Sequence, residues 1–174
     1  MMRARFAVQM LFAALLSAQS KPDFTGKWDL DKVHSTAKTT LVKHPELKGP
    51  PVPLAPEGHA LDWIRPETII YTEPTLEVVD ESVNGLPART YRLSTEGKPS
   101  MNALSGGGVD RSTTRWDGDR LVTEWVLEQS GIAIMRGTDR RSLSSDGSTM
   151  IQERKVVTPS HEDEFRIVWL RRKR

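Results

Sequence analysis

The side chains with chemical reach are four histidines and a scatter of carboxylates. The histidines are His34, His44, His59 and His161. None has the His-x-His or His-Glu-x-x-His spacing that brings two imidazoles to one metal ion. His161-Glu162-Asp163-Glu164 groups several ligand types, but it follows Thr158-Pro159-Ser160 and reads as a solvated hairpin loop. The chain has no Cys, so thiol chemistry, disulfides and a lipidated cysteine are all excluded. No nucleophile elbow, Walker loop or dinucleotide fingerprint is present. Gly106-Gly107-Gly108 has no strand before it and no helix after it, so it is not a phosphate cradle. The carboxylates fall mostly at turns, where no catalytic pair stands out. No metal or cofactor is indicated, and the balance leans away from an enzyme.

The first 20 residues read as a secretory signal peptide. Arg3 and Arg5 precede a mostly apolar run from Phe6 to Leu16, and Ala18-Gln19-Ser20 offers a small-x-small cleavage site. That run is shorter than the roughly 20 residues a membrane span needs. The expected product is a single exported domain, 21–174, periplasmic or secreted. The whole chain carries 25 Lys+Arg and 23 Asp+Glu; removing two leader arginines leaves 23 of each. The basic excess belongs to the leader, which removes the main electrostatic support for a nucleic-acid partner. No second apolar stretch suggests a membrane span. Oligomeric state is not legible.

The elements that must position any site are strands. Phe24, Gly26, Trp28 and Leu30 alternate with Thr25, Lys27, Asp29 and Asp31, giving one dry and one wet face. Lys32 to Gly58 holds five of the chain's 11 prolines and reads as a long irregular loop, either a lid or a surface wrap. Ala60–Ile64 reads as a short strand. Thr68–Thr72, Thr75–Val79 and Ala88–Leu93 follow, with Asn84-Gly85 as a hairpin turn. Ser94 to Gly108 reads as a polar connector. Asp117-Gly118, Gly131 and Asp146-Gly147 then punctuate strands over 111–116, 120–127, 132–143 and 149–157. A last strand runs from Glu164 to Arg171. Eight to ten strands joined by short turns predict an antiparallel up-and-down β-barrel, since closure hides the edges of a long meander. A β-sandwich or open curled sheet is the alternative.

Phe24-x-Gly26-x-Trp28 at the first strand resembles the opening motif of the calycin superfamily, the lipocalins and fatty-acid-binding proteins. Taken in order with Arg115-Trp116-Asp117-Gly118-Asp119-Arg120-Leu121-Val122 and Leu143-Ser144-Ser145-Asp146-Gly147-Ser148-Thr149-Met150, it resembles small exported bacterial lipocalin-like proteins of unassigned function. The resemblance implies a barrel with an internal cavity. It also implies that Trp28 packs at a closed end against an arginine of the last strand, Arg171 or Arg166. Some calycin-like barrels hold haem on a lone histidine, which directs attention to His34 and His59 beside the proline-rich loop. A second lipocalin motif of Thr-Asp-Tyr type is absent.

A barrel of this size fills its interior with side chains or holds one small ligand. The inward set comprises Trp28, Ile69, Tyr71, Tyr91, Leu93, Trp125, Ile167 and Trp169, and the ligand-lining candidates within it are Ile69, Tyr71, Tyr91, Trp125 and Trp169. The leading expectation is a binding protein for a small apolar or amphipathic molecule. The alternatives are a filled barrel acting through its loops as a protein-interaction or envelope-stress module, and a barrel enzyme.

Overall fold

The computed structural model describes residues 21–173 except Glu57, Asn84 and Ser105. The segment read as a signal peptide lies outside the described residues, as does Asn84 of the Asn-Gly turn. Among the described residues there are eleven strands: β1 (Gly26–Leu30), β2 (Thr36–Leu41), β3 (Glu67–Thr72), β4 (Thr75–Asp80), β5 (Arg89–Ser94), β6 (Glu96–Ala103), β7 (Gly108–Asp117), β8 (Arg120–Gln129), β9 (Ile132–Leu143), β10 (Thr149–Val157) and β11 (His161–Arg171). They pair in the order β5-β4-β3-β1-β11-β10-β9-β8-β7-β6, every pair antiparallel. This is the up-and-down barrel, nearly closed by ten strands. The eleventh, β2, prolongs β1 along the same neighbour: β1 pairs with Trp169–Arg171 and β2 with His161–Arg166.

The break between β1 and β2 is held by local polar contacts. The Asp31 carboxylate accepts from the Val33 and His34 backbone N–H groups at 3.1 and 3.2 Å. The Ser35 hydroxyl donates to Asp31 O at 2.6 Å and accepts from Val168 N at 2.8 Å. Ser35 therefore fills the gap that the interruption leaves in the β11 ladder.

Closure at the other end of the order is different. No backbone ladder joins β5 to β6. The Asn102 side chain accepts from Arg92 N at 2.8 Å and donates to Arg92 O at 3.3 Å, so its amide stands in for a peptide unit. Ser100 Oγ accepts from Ser94 N at 3.0 Å. The seam is sewn by side chains.

Four expectations from the sequence are corrected. The proline-rich stretch is not wholly irregular: Thr36–Leu41 forms β2, where β-branched threonines meet the free edge of β11. Ala60–Trp63 is a 3-10 turn, tied by Asp62 N to His59 O and Ile64 N to Leu61 O. The polar connector after Ser94 contains β6. Pro99 is tolerated because β6 pairs through its backbone on one side only, and the register breaks between Glu96 and Pro99. His161–Glu164 belongs to β11, because Thr158 closes a tighter hairpin: its Oγ1 accepts from His161 N at 3.1 Å and from Ser160 N at 3.3 Å.

The apolar core fills the end of the barrel where β1 enters. Phe24, Trp28, Ile69, Leu76, Leu121, Met150, Ile167 and Trp169 pack together there, all fully buried. Trp28 Nε1 donates to Phe24 O at 3.0 Å. Arg171 covers the indole, its guanidinium carbon 4.6 Å from the ring centroid, and donates to Thr25 O at 2.8 Å and Asp23 O at 3.0 Å. Arg166 instead reaches His34 O at 3.4 Å. Trp28→Ala is expected to cost about 3–5 kcal/mol through lost burial and the cavity left behind. Urea unfolding measures it, and a loss under about 1 kcal/mol would show that Trp28 is not a core anchor.

Candidate functional site

Strand alternation carries the inward face of the barrel beyond the apolar core. On β3 the inward positions include Glu67 and Ile69; on β4, Leu76, Val78 and Asp80; on β7, Asp110, Ser112 and Thr114. On β8 they are Leu121, Thr123 and Trp125; on β9, Asp139 and Arg141; on β10, Met150, Gln152 and Arg154. The interior is thus apolar where β1 enters and polar above it. Strands β7–β11 run 9–12 residues and β3–β5 only six, so one wall stands taller over this polar layer.

The five ligand-lining candidates divide between these two layers. Ile69 and Trp169 are wholly buried in the apolar core. Tyr71 packs there too, edge-on to Trp116 with centroids 5.9 Å apart. Tyr91 is half-buried at the border of the two layers, packed against the core and in register with Val78, while Trp125 is half-buried outside the core cluster. Trp125 lies across Gly137 on β9, where a Cβ would sit 2.3 Å from both the indole Cζ2 and Lys155 O. Only glycine allows that approach.

The polar layer is built from two ion pairs linked to the core. Arg141 Nη2 meets Glu67 Oε2 at 3.2 Å, with the two side chains 5% and 3% exposed. Arg154 grips Asp139 through Nε–Oδ1 at 2.6 Å and Nη2–Oδ2 at 3.4 Å. Gln152 Nε2 donates to Asp139 Oδ1 at 2.8 Å, and Gln152 Oε1 accepts from Trp169 Nε1 at 2.9 Å. The Thr114 and Thr123 hydroxyls meet at 2.9 Å. Three buried atoms in this layer have no hydrogen-bond partner among the described residues: Glu67 Oε1, Arg141 Nε and Ser112 Oγ. Such atoms are costly unless something else satisfies them.

Burial pushes the Glu67, Asp80 and Asp110 carboxyls above their ordinary range, and for Glu67 and Asp80 the interior arginines oppose part of that rise. Burial acts the same way on Asp139, but the Arg154 and Arg141 charges outweigh it and hold Asp139 low. The Arg154 side chain keeps 29% of its exposure, so the polar layer meets solvent from above.

These residues overturn the expectation that the carboxylates are scattered over solvated turns. The signal was available in the alternation, since Asp110, Asp139, Gln152 and Arg154 share phase with core positions on their own strands. Charge at those positions hides it from a hydrophobic pattern. The histidines lie elsewhere. His34 pairs with Asp31 at 2.7 Å and His59 with Asp62 at 2.8 Å, both on the exposed surface. His161 is buried against Thr158 Oγ1 at 2.9 Å. An open groove of about 580 Å3 runs over β6–β10, lined by Met101, Arg111, Glu124, Arg136 and Lys155 and also by Ser112 and Trp125.

No family model matches the chain, and no curated protein matches it. Among solved structures, the chain is similar to a protein described as a "REP1-NXSQ fatty acid transporter", with a TM-score of 0.52 and 10% identity over 87% of this chain and 97% of that one. At that identity the likeness is one of fold.

The raised and lowered carboxyls set opposite pH slopes. Where the folded pKa lies above the unfolded one, as for Glu67, Asp80 and Asp110, the native state binds more protons and stability falls as pH rises through that range. Asp139 contributes stability that is lost as pH falls below about 4, the ordinary carboxylate value. Exposed Asp146, held at about 2 by Ser144 and Ser148, titrates in the same direction as Asp139. Thermal unfolding followed against pH is expected to peak in mild acid, and Asp110→Asn is expected to flatten the decline toward neutrality. A peak at pH 7 or above would contradict the buried layer. Gly137→Ala is expected to cost about 1–3 kcal/mol, because Trp125 or the β10 backbone must move; denaturation with tryptophan fluorescence reads both changes.

Proposed function

We propose that this chain is an exported, calycin-type carrier whose barrel takes one small amphipathic molecule into its upper half. The observation that carries the reading is the division of the interior. Glu67 Oε1, Arg141 Nε and Ser112 Oγ are buried without partners in the polar layer, as Tyr71 Oη, Trp116 Nε1 and Arg171 Nε are at the closed end, but only the polar layer meets solvent, past Arg154. Beside that polar floor are half-buried Trp125 and Leu127, with Tyr91 and Phe165 at the border of the apolar core. Apolar walls with a few placed polar groups are the usual composition of a small-molecule site. The apolar part of a ligand would lie against the taller wall and its polar group on the layer beneath.

Two further points support it. A protein of similar fold is described as a fatty acid transporter, which lends support to a chain-bearing ligand. The basic, apolar and small-residue order of residues 1–20 supports export. Ile69, Tyr71 and Trp169 then serve the closed end, and Tyr91 and Trp125 the ligand.

Native mass spectrometry of the protein purified from its own cell envelope tests this reading. One bound small molecule per chain is expected, and the emptied protein should rebind amphipathic chains with roughly micromolar dissociation constants. An empty barrel that shows no thermal shift across a panel of amphipathic compounds would remove the carrier reading.

A further inference from the structure

Resting on the carrier reading above, we infer that the ligand's polar group is a cation, an amine or quaternary ammonium borne on an apolar chain, and that Asp110 receives it. The two arginines of the interior layer are already engaged. Arg154 holds Asp139 and Arg141 holds Glu67. An incoming carboxylate would find only the unused Arg141 Nε–H, among four inward acids that repel it, or would have to displace one of those acids. Against these two cations stand four inward carboxylates, Glu67, Asp80, Asp110 and Asp139. Asp80 and Asp110 make no ion pair within 4.0 Å among the described residues. Asp80 has cations at some distance: Arg89 is its register partner on β5, exposed at the rim, and Arg65 donates to Pro87 O at 2.7 Å. Asp110 has none. Its register partners are Asn102 on β6 and Leu127 on β8.

Asp110 is only 9% exposed, a degree of burial at which a lone carboxylate is costly without a counter-charge. A second observation marks the same spot. Ser112, the next inward residue on β7, is 4% exposed; its Oγ makes no hydrogen bond within 3.5 Å, and its nearest polar neighbour is the Asp110 carboxyl itself, which it draws down. Across from Ser112 on β8 is the half-buried indole of Trp125. A carboxylate, the hydroxyl beside it and an indole within two residues of register offer a cation a counter-charge, an acceptor oxygen and an aromatic face. Leu127, across from Asp110, begins the apolar surface for the chain. Burial raises the Asp110 carboxyl, and a bound cation would draw it back into the ionised form.

The test is a head-group series on one chain length. Decyltrimethylammonium, decanoate and 1-decanol are titrated, below micelle formation, into the full exported protein and followed by calorimetry. The ammonium is expected to bind at least about tenfold more tightly than decanoate. In Asp110→Asn that preference is expected to vanish while 1-decanol binding stays the same. This variant should fold, because it removes an unpaired buried charge; a melting temperature no lower than that of the parent checks this. Should it fail to fold, the head-group order of the parent protein decides. Equal or tighter decanoate binding overturns the inference and leaves the carrier reading standing. Ammonium binding that survives Asp110→Asn unchanged overturns the assignment to Asp110. If none of the three binds, both readings fall together.

Discussion

The structure depends on Trp28 having a strand on either side. Its register partners are Arg171 on the last strand and Glu67 on β3, so one residue joins the beginning, the end and the short wall of the barrel. Because side chains alternate with period two, a shift of one residue there would turn every inward group of β1 outward. The contacts around Trp28 resist that shift. Its indole N–H is held by Phe24 O, and Arg171 covers its ring while bonding two backbone carbonyls. Glu67, the first polar residue of the interior, takes its place from the same register. The polar layer therefore inherits its position from the apolar core below it.

Buried ion pairs contribute little net stability, because desolvation offsets their attraction. Here the layer is tied downward through Gln152, which receives the Trp169 indole N–H and donates to Asp139. That link orients Asp139 to meet Arg154. The outcome is a linked and partly unsatisfied polar floor above the apolar core. Asp110 stands apart from this network, on the wall next to the seam.

Much of the architecture was legible in the residues. Phe24, Gly26, Trp28 and Leu30 mark the first strand. Asp117-Gly118 and Asp146-Gly147 mark reverse turns, with Gly118 at φ 62° and Gly147 at φ 67° in the left-handed region such turns require. What escaped notice has physical reasons. All six residues of β2 are exposed, so no hydrophobic alternation announces it. Pro99 argues against a strand unless one edge is known to lack a ladder. The candidate site was half visible: Tyr91 and Trp125 are apolar enough to be read as inward. Asp110, Ser112, Asp139 and Arg154 occupy the same phase, but a pattern that scores burial by hydrophobicity assigns them to solvent.

The side-chain closure between β5 and β6 gives the barrel one mechanically soft line. Elsewhere, parting two strands breaks a run of main-chain bonds that cooperate. At the seam, Arg92 and Ser94 are released when two side chains rotate, and every ladder of the wall stays intact. Thermal breathing should concentrate there, because the opening requires no residue to leave its strand. Asn102, which fastens that line, is also the register neighbour of Asp110. The wall yields most easily beside its most poorly compensated charge.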